Sequence, residues 1–482
     1  MFLGLDLGTT NIKALLVGEG GRVLARASEP VGLIHTGEAG VEQDIEEIWA
    51  ATLSALGWIG ARRKRNRVEA IGVSSQGGAL QLLSPGGQPM ANVISLLDGR
   101  GRADDEALTR ELGGDWFVHR IGHARSALSI GQLLRFRREA PEAFDGGFRV
   151  CLVGDVIVSR LCGRAAHDAT SLSIAMLFNP WLHRADPDVL GRLGVREEQL
   201  PALLSPREAA GGLLGPVAQA TGLPAGIPVS AAVHDQYASA LGVGAVAPGD
   251  VMFGAGTAWV LLAAMERLAA PPAEGAFVCS HLVEGLYGQM LSLGNGGSAV
   301  DLALHLTGLR PKGGDVDAIL SGIPPGSDGL RFWPFLVPYG GVGLAAATSA
   351  RLLGLRLDHR PAHVVRAAIE GLALELARYL GFLDRAGAQV HRLAMCGGAA
   401  RSGLTPQIVA NAAGLPVDCA AETDTSALGA AVLARGLVEP MAPLGELSRG
   451  AGKTLRSFEP DGDAGLYRDM LSEYLAALPK AR

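Results

Sequence analysis

The chain has 482 residues, of which 48% are hydrophobic and 19% are charged, and its formal net charge is −6. Its length allows two or three domains with sizeable cores, and its weakly acidic balance excludes attraction to nucleic acid or to an anionic membrane surface as its main function. Its five cysteines are scattered without the spacing of zinc ligands, which predicts buried thiols in a reducing, cytoplasmic compartment.

The chain opens on a short apolar strand, Phe2 to Leu7, that contains Asp6 and does not have the pattern expected of a signal peptide. Gly8-Thr9-Thr10 turns this strand into a second one, from Ile12 to Val17. Such a turn presents N–H groups and hydroxyls to one point, as a phosphate site requires, and Asp6 could hold Mg²⁺ through water. The alternative is an ordinary hairpin with a buried or capping aspartate.

The following elements alternate between helix and strand, which is typical of an α/β domain. We expect a helix from Glu46 to Leu56 and strands from Ala70 to Val73 and from Ala79 to Leu83. Gln76-Gly77-Gly78 lies between these two strands. Farther on, a strand is expected to end at Asp98-Gly99-Arg100, whose charged side chains could reach sugar hydroxyls or could form an ion pair that closes a turn.

A short apolar run ends at Asp235, close to the midpoint of the chain, and a helix is expected from Gln236 onward. A carboxylate at a helix N-terminus is held ionised by the helix dipole and by free amide donors. This setting suits a general base that accepts a proton from an alcohol. The alternative is that Asp235 only caps the helix.

The opening pattern returns after the midpoint, with a strand from Val251 to Phe253, the turn Gly254-Ala-Gly-Thr257 and a strand from Trp259 to Ala263. This echo predicts two similarly folded halves whose turns grip one polyphosphate across a cleft. A third glycine-rich turn, Leu293 to Ser298, precedes a helix that Asp301 is expected to open. No residue in this stretch identifies the ligand by itself.

The last third of the chain contains one long amphipathic helix, expected from Pro361 to Leu383 and explained fully by core packing. A strand from Val390 to Met395 follows it. The glycine-rich turn Cys396 to Ser402 is then expected to open a helix that runs to Ala413. A strand, a Gly-Gly turn and a helix N-terminus commonly form a nucleotide pocket, although a turn without a ligand is the alternative.

Taken in order, these motifs resemble those of the FGGY carbohydrate kinases, which belong to the actin-like ATPase superfamily. The resemblance covers nearly the whole chain and is carried by Asp6–Thr10, Gln76, Asp98–Arg100, His234–Gln236, Gly254–Thr257, Arg366–Gly371, Cys396–Ser402, Gln407–Asn411, Gly414–Pro416 and Ala427–Ala431. It implies an α/β fold of two ribonuclease-H-like domains around a central cleft. Residues 1–244 would bind the sugar, and residues 245–482 would bind ATP.

The resemblance also implies the reaction, which is ATP-dependent phosphorylation of a sugar hydroxyl with Mg²⁺ as cofactor. Asp235 would be the general base and Asp6 would hold the metal. The implied substrate-binding residues are Gln76, Asp98, Arg100, Asp235 and Gln236. The implied ATP-binding residues are Gly8, Thr9, Thr10, Lys13, Gly256, Thr257, Gly297, Asp301, Gly397, Gly398, Ala399 and Ser402. The small-molecule sugar is the expected partner, and a homodimer is common among similar kinases.

Departures from the family pattern bear on the substrate. Gly77-Gly78 stands where xylulose kinases usually have Met-His, and Ala255 stands where a Thr usually follows the first glycine. Chain length and Asp98-Gly-Arg100 are most similar to xylulose kinases, whereas His234-Asp235 and Gly256-Thr257 resemble the rhamnulose-kinase branch. A ketopentose such as xylulose is the expected substrate. The alternatives are a rhamnulose-like deoxyketose, ribulose, glycerol, a catalytically weak sugar-sensing regulator, or an actin-like ATPase with a protein client.

Overall fold

Two large β-sheets, one in each half of the chain, organise the fold. The computed structural model describes residues 1–62, 67–273, 275–311, 315–336 and 349–478. Among these residues, no helix is both long enough and apolar enough to cross a membrane.

The first half builds its main sheet around the opening strand, which has one antiparallel and one parallel neighbour. Its strands are β1 (Phe2–Leu7), β2 (Asn11–Val17), β3 (Val23–Pro30), β4 (Ile34–Thr36), β5 (Gly40–Gln43), β6 (Ala70–Ser75), β7 (Leu80–Leu83), β8 (Val93–Ile94), β9 (Arg149–Leu152), β10 (Ala166–His167), β11 (Phe178–Asn179), β12 (Arg184–Ala185), β13 (Ala202–Leu203), β14 (Ala209–Gly212) and β15 (Pro228–His234). The main sheet has the order β13-β10-β15-β6-β1-β2-β3, with β14 beside β15, and β4-β5-β8-β7-β9 form a smaller sheet. Strand β1 is antiparallel to β2 and parallel to β6, which is parallel to β15.

Helices cover this sheet because β1 is buried along its whole length and needs apolar partners on both faces. They are α1 (Ile45–Arg62), α2 (Arg102–Leu112), α3 (Gly114–Ile121), α4 (Ser129–Glu139), α5 (Pro141–Asp145), α6 (Val153–Cys162), α7 (Ala169–Ile174), α8 (Pro187–Leu193), α9 (Gly215–Thr221) and α10 (Asp235–Gly242). Leu3 and Leu5 of β1 share one core with Ile48 and Leu56 of α1. The helix predicted from Glu46 and the strands predicted up to Leu83 are confirmed, and α1 is longer than expected.

The second half repeats the same strand pairing. Its strands are β16 (Asp250–Ala255), β17 (Trp259–Met265), β18 (Phe277–Ser280), β19 (Tyr287–Ser292), β20 (Arg331–Trp333), β21 (Arg351–Leu353), β22 (Arg392–Cys396), β23 (Val417–Ala420) and β24 (Thr454–Phe458). The large sheet has the order β18-β19-β17-β16-β22-β23-β24. Strand β16 is antiparallel to β17 and parallel to β22, as β1 is to β2 and β6. The predicted α/β architecture of two similar halves is confirmed.

The helices of the second half are α11 (Gly297–Thr307), α12 (Val316–Leu320), α13 (Pro361–Arg385), α14 (Thr405–Ala413), α15 (Thr425–Val438), α16 (Leu444–Ala451) and α17 (Ala464–Ala476). Helix α13 is the predicted amphipathic helix, and its apolar residues Ile369, Leu372 and Leu376 are buried in the core of this half. It begins at the predicted proline and continues two residues beyond the predicted end, to Arg385.

Helix α15 comes late in the chain but packs against β1 and β6 of the first sheet. The approach is so close that it requires glycine in the strands. A Cβ on Gly4 would lie 1.8 Å from the carbonyl oxygen of Ala427, and one on Gly72 would lie 1.8 Å from that of Ala430. The two halves are thus tightly packed through α15, and the boundary after Gly244 stays a prediction.

Candidate functional site

Asp6 lies near the end of β1, where the predicted phosphate turn begins, and is almost fully buried. Both of its carboxylate oxygens accept hydrogen bonds from serine hydroxyls. Ser74 Oγ donates to Oδ1 over 2.9 Å, and Ser426 Oγ donates to Oδ2 over 2.7 Å. Burial, together with the negative charge of Asp235, raises the pKa of Asp6 to about 6. The two predicted acidic residues therefore lie close enough for the charge of Asp235 to affect the titration of Asp6.

Asp235 is the first residue of α10, directly after β15, as the sequence predicts. Its side chain is 29% exposed, which leaves the carboxylate accessible from the cleft. Burial raises its pKa to about 6, although the backbone and side chain of Gln236 donate hydrogen bonds that oppose the rise. Desolvation thus outweighs the amide donors at the helix N-terminus in setting the pKa of this carboxyl. At neutral pH a carboxyl with this pKa is still mostly ionised.

His234 is a neighbour of the candidate base that sequence reasoning did not select as a site residue. Its Nε2 lies 3.2 Å from Oδ1 of Asp235, and burial lowers the pKa of its imidazole to about 3, so that the ring is neutral. A Cβ on Gly77 would lie 2.6 Å from this same Nε2 and 2.8 Å from Cγ1 of Ile174. The imidazole thus fills the space beside residue 77. The sequence signal for His234 as a site residue is the combination of a glycine at position 77 and a large side chain at position 234.

The predicted phosphate turn, Gly8 to Thr10, is held by a closed ring of amide hydrogen bonds. Thr9 Oγ1 donates to Gln76 Oε1, Gln76 Nε2 donates to Gln43 Oε1, and Gln43 Nε2 donates to the carbonyl oxygen of Thr9, over 3.0, 2.9 and 2.9 Å. Gln76 is buried, so its position explains the shape of the turn, and its predicted contact with sugar stays a prediction. Gln43 was not predicted, because no local motif marks it.

Lys13, a predicted ATP-binding residue, is paired across the two halves of the chain. Its Nζ lies 2.8 Å from Oδ1 of Asp424, which also pairs with Arg26 over 3.2 Å. Asp424 immediately precedes α15. The structure therefore brings Lys13, Asp6 and the start of α15 to one side of the cleft.

Asp98 and Arg100 lie in a turn after the two-residue strand β8, so the predicted strand end at this place was wrong. Their side chains form the ion pair that was one of the two alternatives, with Arg100 Nε 2.9 Å from Asp98 Oδ2. Arg100 also pairs with Glu42, over 2.6 Å, and Gln132 donates to Asp98. Asp98 lines a cavity of about 400 Å³. A role of this pair in sugar binding stays a prediction.

A cavity of about 770 Å³ in the second half brings together most of the predicted ATP-binding residues. Its lining includes Gly256, Thr257, Gly297, Asp301, Gly398, Ala399 and Ser402. Gly397 lies behind them with φ of 89°, where a Cβ would be 2.8 Å from the backbone of Ala255. Small residues at these positions allow the turns after β16 and β22 to approach each other.

Two predicted details of this cavity were wrong. Helix α11 begins at Gly297, so Asp301 lies in its second turn instead of opening it. The glycine-rich turn after β22 forms a separate 3-10 turn, Gly398–Arg401, and α14 begins only at Thr405. Ser402 Oγ accepts from the N–H of Thr405 and donates to Asp317 over 2.5 Å. Asp317, on α12, was missed because it is distant in sequence from every motif.

The donor set suits a magnesium ion that arrives with phosphate groups. Within the described ranges, no group of three or more His, Cys, Asp or Glu side chains could hold a metal ion. Asp6 is instead a single buried carboxylate with a second carboxylate, Asp235, close enough to raise its pKa. Magnesium commonly keeps several waters and binds through one or two carboxylates together with substrate phosphates, which fits this arrangement.

Comparison with known proteins identifies the family. The N-terminal domain of the FGGY family of carbohydrate kinases matches residues 1–242, and its C-terminal domain matches residues 230–435. The chain is 28% identical to xylulose kinase of Escherichia coli (strain K12) over 461 residues, which cover 93% of this chain and 92% of that protein. It is 27% identical to glycerol kinase of Symbiobacterium thermophilum, over 90% of this chain and 88% of that protein.

Solved structures agree with this match. The crystal structure of xylulose kinase from Rhodospirillum rubrum is similar, with a TM-score of 0.89, 26% identity and coverage of 98% of this chain and 97% of that one. Glycerol kinase from Plasmodium falciparum with ADP has a TM-score of 0.90 at 18% identity, over 98% and 97% of the two chains, and shows the shared fold. The chain belongs to the FGGY family of carbohydrate kinases, and it is a sugar kinase.

Proposed function

We propose that this kinase transfers the γ-phosphoryl group of ATP to a hydroxyl of a ketopentose such as xylulose, with Asp235 as general base. The observation that carries the proposal is the placement of Asp235 at the start of α10, partly exposed and close enough to Asp6 for its charge to raise the pKa of that residue. Phosphoryl transfer needs a base that orients the attacking hydroxyl and positive groups at the phosphates, and little covalent chemistry from the protein.

The carboxylate of Asp235 accepts the proton of the sugar hydroxyl as its oxygen attacks the γ-phosphorus. Its pKa of about 6 keeps it mostly ionised at neutral pH. This pKa is also closer to the operating pH than that of a solvated aspartate, as an efficient general base requires. Gln236 Nε2 donates to Oδ1 over 3.2 Å and limits rotation of the carboxylate. The neutral imidazole of His234 encloses the same side of the base, where it reduces access of water.

The phosphate chain of ATP lies between the turn at Gly8–Thr10 and the turn at Gly256-Thr257 in this proposal. The nucleoside occupies the cavity beside Ala399 and Ser402. When bound, Mg²⁺ would neutralise charge on the phosphates, and Asp6 would hold it through water. The ring of hydrogen bonds among Thr9, Gln76 and Gln43 fixes the first turn before substrate arrives, which lowers the cost of orientation in the reaction.

The choice of xylulose is supported by relatives of that name from several bacteria. Glycerol is the second candidate, because glycerol kinases match the chain over similar lengths and identities. The pocket differs from the pattern expected of xylulose kinases at Gly77-Gly78, where His234 occupies part of the freed space. A homodimer and a cytoplasmic location remain predictions.

The test of the base is the substitution Asp235→Asn. We expect sugar-dependent release of ADP to fall at least about 10³-fold, because the amide cannot accept the proton, while ATP binding measured by calorimetry stays within about twofold. Glu266→Gln, in the exposed bend directly after β17 and outside the nucleotide cavity, is the control for loss of one acidic group. Full turnover in the Asp235→Asn enzyme would remove Asp235 from the role of base.

A further inference from the structure

The first turn of α15 reaches the phosphate side of the cleft from a distant part of the chain. The segment Asp424–Ser426, which we name the α15 start segment, is far from Asp6 in the sequence, with 420 positions between Asp6 and Ser426. Ser426 Oγ nevertheless donates to Asp6 Oδ2 over 2.7 Å. The serine is on neither of the two phosphate turns, and it lines none of the nucleotide cavity.

Asp6 is held by one hydroxyl on each oxygen. Ser74, on the neighbouring strand β6, donates to Oδ1, and Ser426 donates to Oδ2. Rotation of the carboxylate about its last side-chain bond would break both hydrogen bonds at once. The two donors also favour the ionised form against the effect of burial, since each bonds to an oxygen that carries negative charge. The orientation of Asp6 therefore depends on both serines.

The α15 start segment cannot shift easily. Gly4 and Gly72 place the backbone of α15 directly against β1 and β6, at distances that leave no room for a Cβ. At the same segment, Asp424 pairs with Lys13 of β2 over 2.8 Å and with Arg26 of β3 over 3.2 Å. Close packing and ion pairs thus fix the position of Ser426 relative to Asp6.

We propose that Ser426 is a positioning residue, which orients the Asp6 carboxylate for the hydrated Mg²⁺ of the bound nucleotide. The proposal rests on the proposed function, in which Asp6 serves the metal. A metal-binding carboxylate is commonly oriented by hydrogen bonds from groups that do not touch the metal, and loss of such a group typically weakens metal binding about 10- to 100-fold. Ser426 fills this role from the second half of the chain. The orientation of the metal-binding carboxylate therefore depends on how α15 packs against the first sheet.

The test compares binding of ATP with and without Mg²⁺ by isothermal titration calorimetry on the full-length protein. Ser426→Ala should weaken binding of MgATP about tenfold. Binding of ATP in EDTA should change less than about twofold, because the hydroxyl acts on the metal carboxylate and not on the nucleotide cavity. Ser426→Thr keeps the hydroxyl and should restore most of the MgATP affinity. The control is Ser448→Ala, which removes the hydroxyl of a buried serine that donates to the backbone oxygen of Leu241 over 2.6 Å, away from Asp6.

An Asp6→Asn variant separates this proposal from the function on which it rests. If Asp6→Asn weakens MgATP binding and Ser426→Ala does not, Asp6 serves the metal and the role of Ser426 is overturned. If neither substitution changes the preference for MgATP over metal-free ATP, the metal role of Asp6 fails and the positioning role fails with it. Equal weakening of both nucleotide forms by Ser426→Ala would also overturn the proposal, because it would indicate a general structural effect.

Discussion

At the scale of single residues, the proposed chemistry depends on two carboxyl groups whose pKa values are both raised to about 6. Burial is the first cause for each, and for Asp6 the charge of Asp235 adds to it. Sequence motifs identified both residues correctly as acidic groups at strand ends. They could not give the direction of the pKa of Asp235, because a helix N-terminus lowers it and enclosure raises it, and only the packed structure shows which effect is larger.

The pH dependence of kcat/KM tests the raised pKa of Asp235. Asp235 acts as a base only when ionised, and Asp6 serves the metal only when ionised, so kcat/KM should be constant above neutral pH and fall by about tenfold to a hundredfold per pH unit below pH about 6. Coupled ADP release from pH 5 to pH 8, with sugar and ATP below their KM values, measures this fall in activity on the acidic side of the profile. A rate that stays constant down to pH 5 would contradict the raised pKa.

The fit between His234 and Gly77 leads to a second prediction at this scale. Gly77→Met introduces the side chain usual in xylulose kinases into space that the imidazole and Ile174 occupy, and we expect kcat/KM for the best sugar to fall at least about tenfold from the resulting displacement. Adding His234→Gly removes the obstacle and should recover part of the loss. Additive losses in the double variant would show that the two positions do not share one space.

At the scale of elements, α15 joins the second half of the chain to the first sheet. The sequence places small residues from Ser426 to Ala431 in this helix, and in the structure the helix approaches β1 and β6 closely. The sequence does not predict which element is the neighbour, since the contacts of α15 with β1 join residues more than 400 positions apart. Ser426 and Asp424 were missed for that reason, and Asp317 and Gln43 were missed because no motif surrounds them.

Glycine substitution measures the closeness of this contact. Gly72→Ala places a Cβ 1.8 Å from the carbonyl oxygen of Ala430, so β6 and α15 must separate. We expect the free energy of unfolding to fall by about 1–3 kcal/mol, measured by urea denaturation followed by circular dichroism. Gly450→Ala, at an exposed position in α16 with open space around it, is the matched control and should be neutral or slightly stabilising. Equal stability of both variants would show that α15 is not closely packed on β6.

At the scale of the whole molecule, two halves repeat one strand pairing, in which a central strand is antiparallel to the next strand and parallel to a later one. Repeated strand–turn–strand motifs and the order of the family motifs were sufficient to predict this arrangement. The turn that follows β22 and the start of α11 were placed less well, because 3-10 turns and the first helical residue depend on local hydrogen bonds such as those of Ser402. The identity of the sugar depends on a few side chains around Gly77-Gly78, and no motif names it.

The most direct test of the account is sugar-dependent release of ADP by the purified protein with MgATP. The panel should contain pentuloses, deoxyhexuloses, aldoses and polyols including glycerol, together with a control without sugar. We predict strong stimulation by a ketopentose, with D-xylulose as the first candidate, and loss of that stimulation in the Asp235→Asn enzyme. Turnover without dependence on any member of the panel, in a protein that binds ATP, would contradict the assignment of a ketopentose kinase.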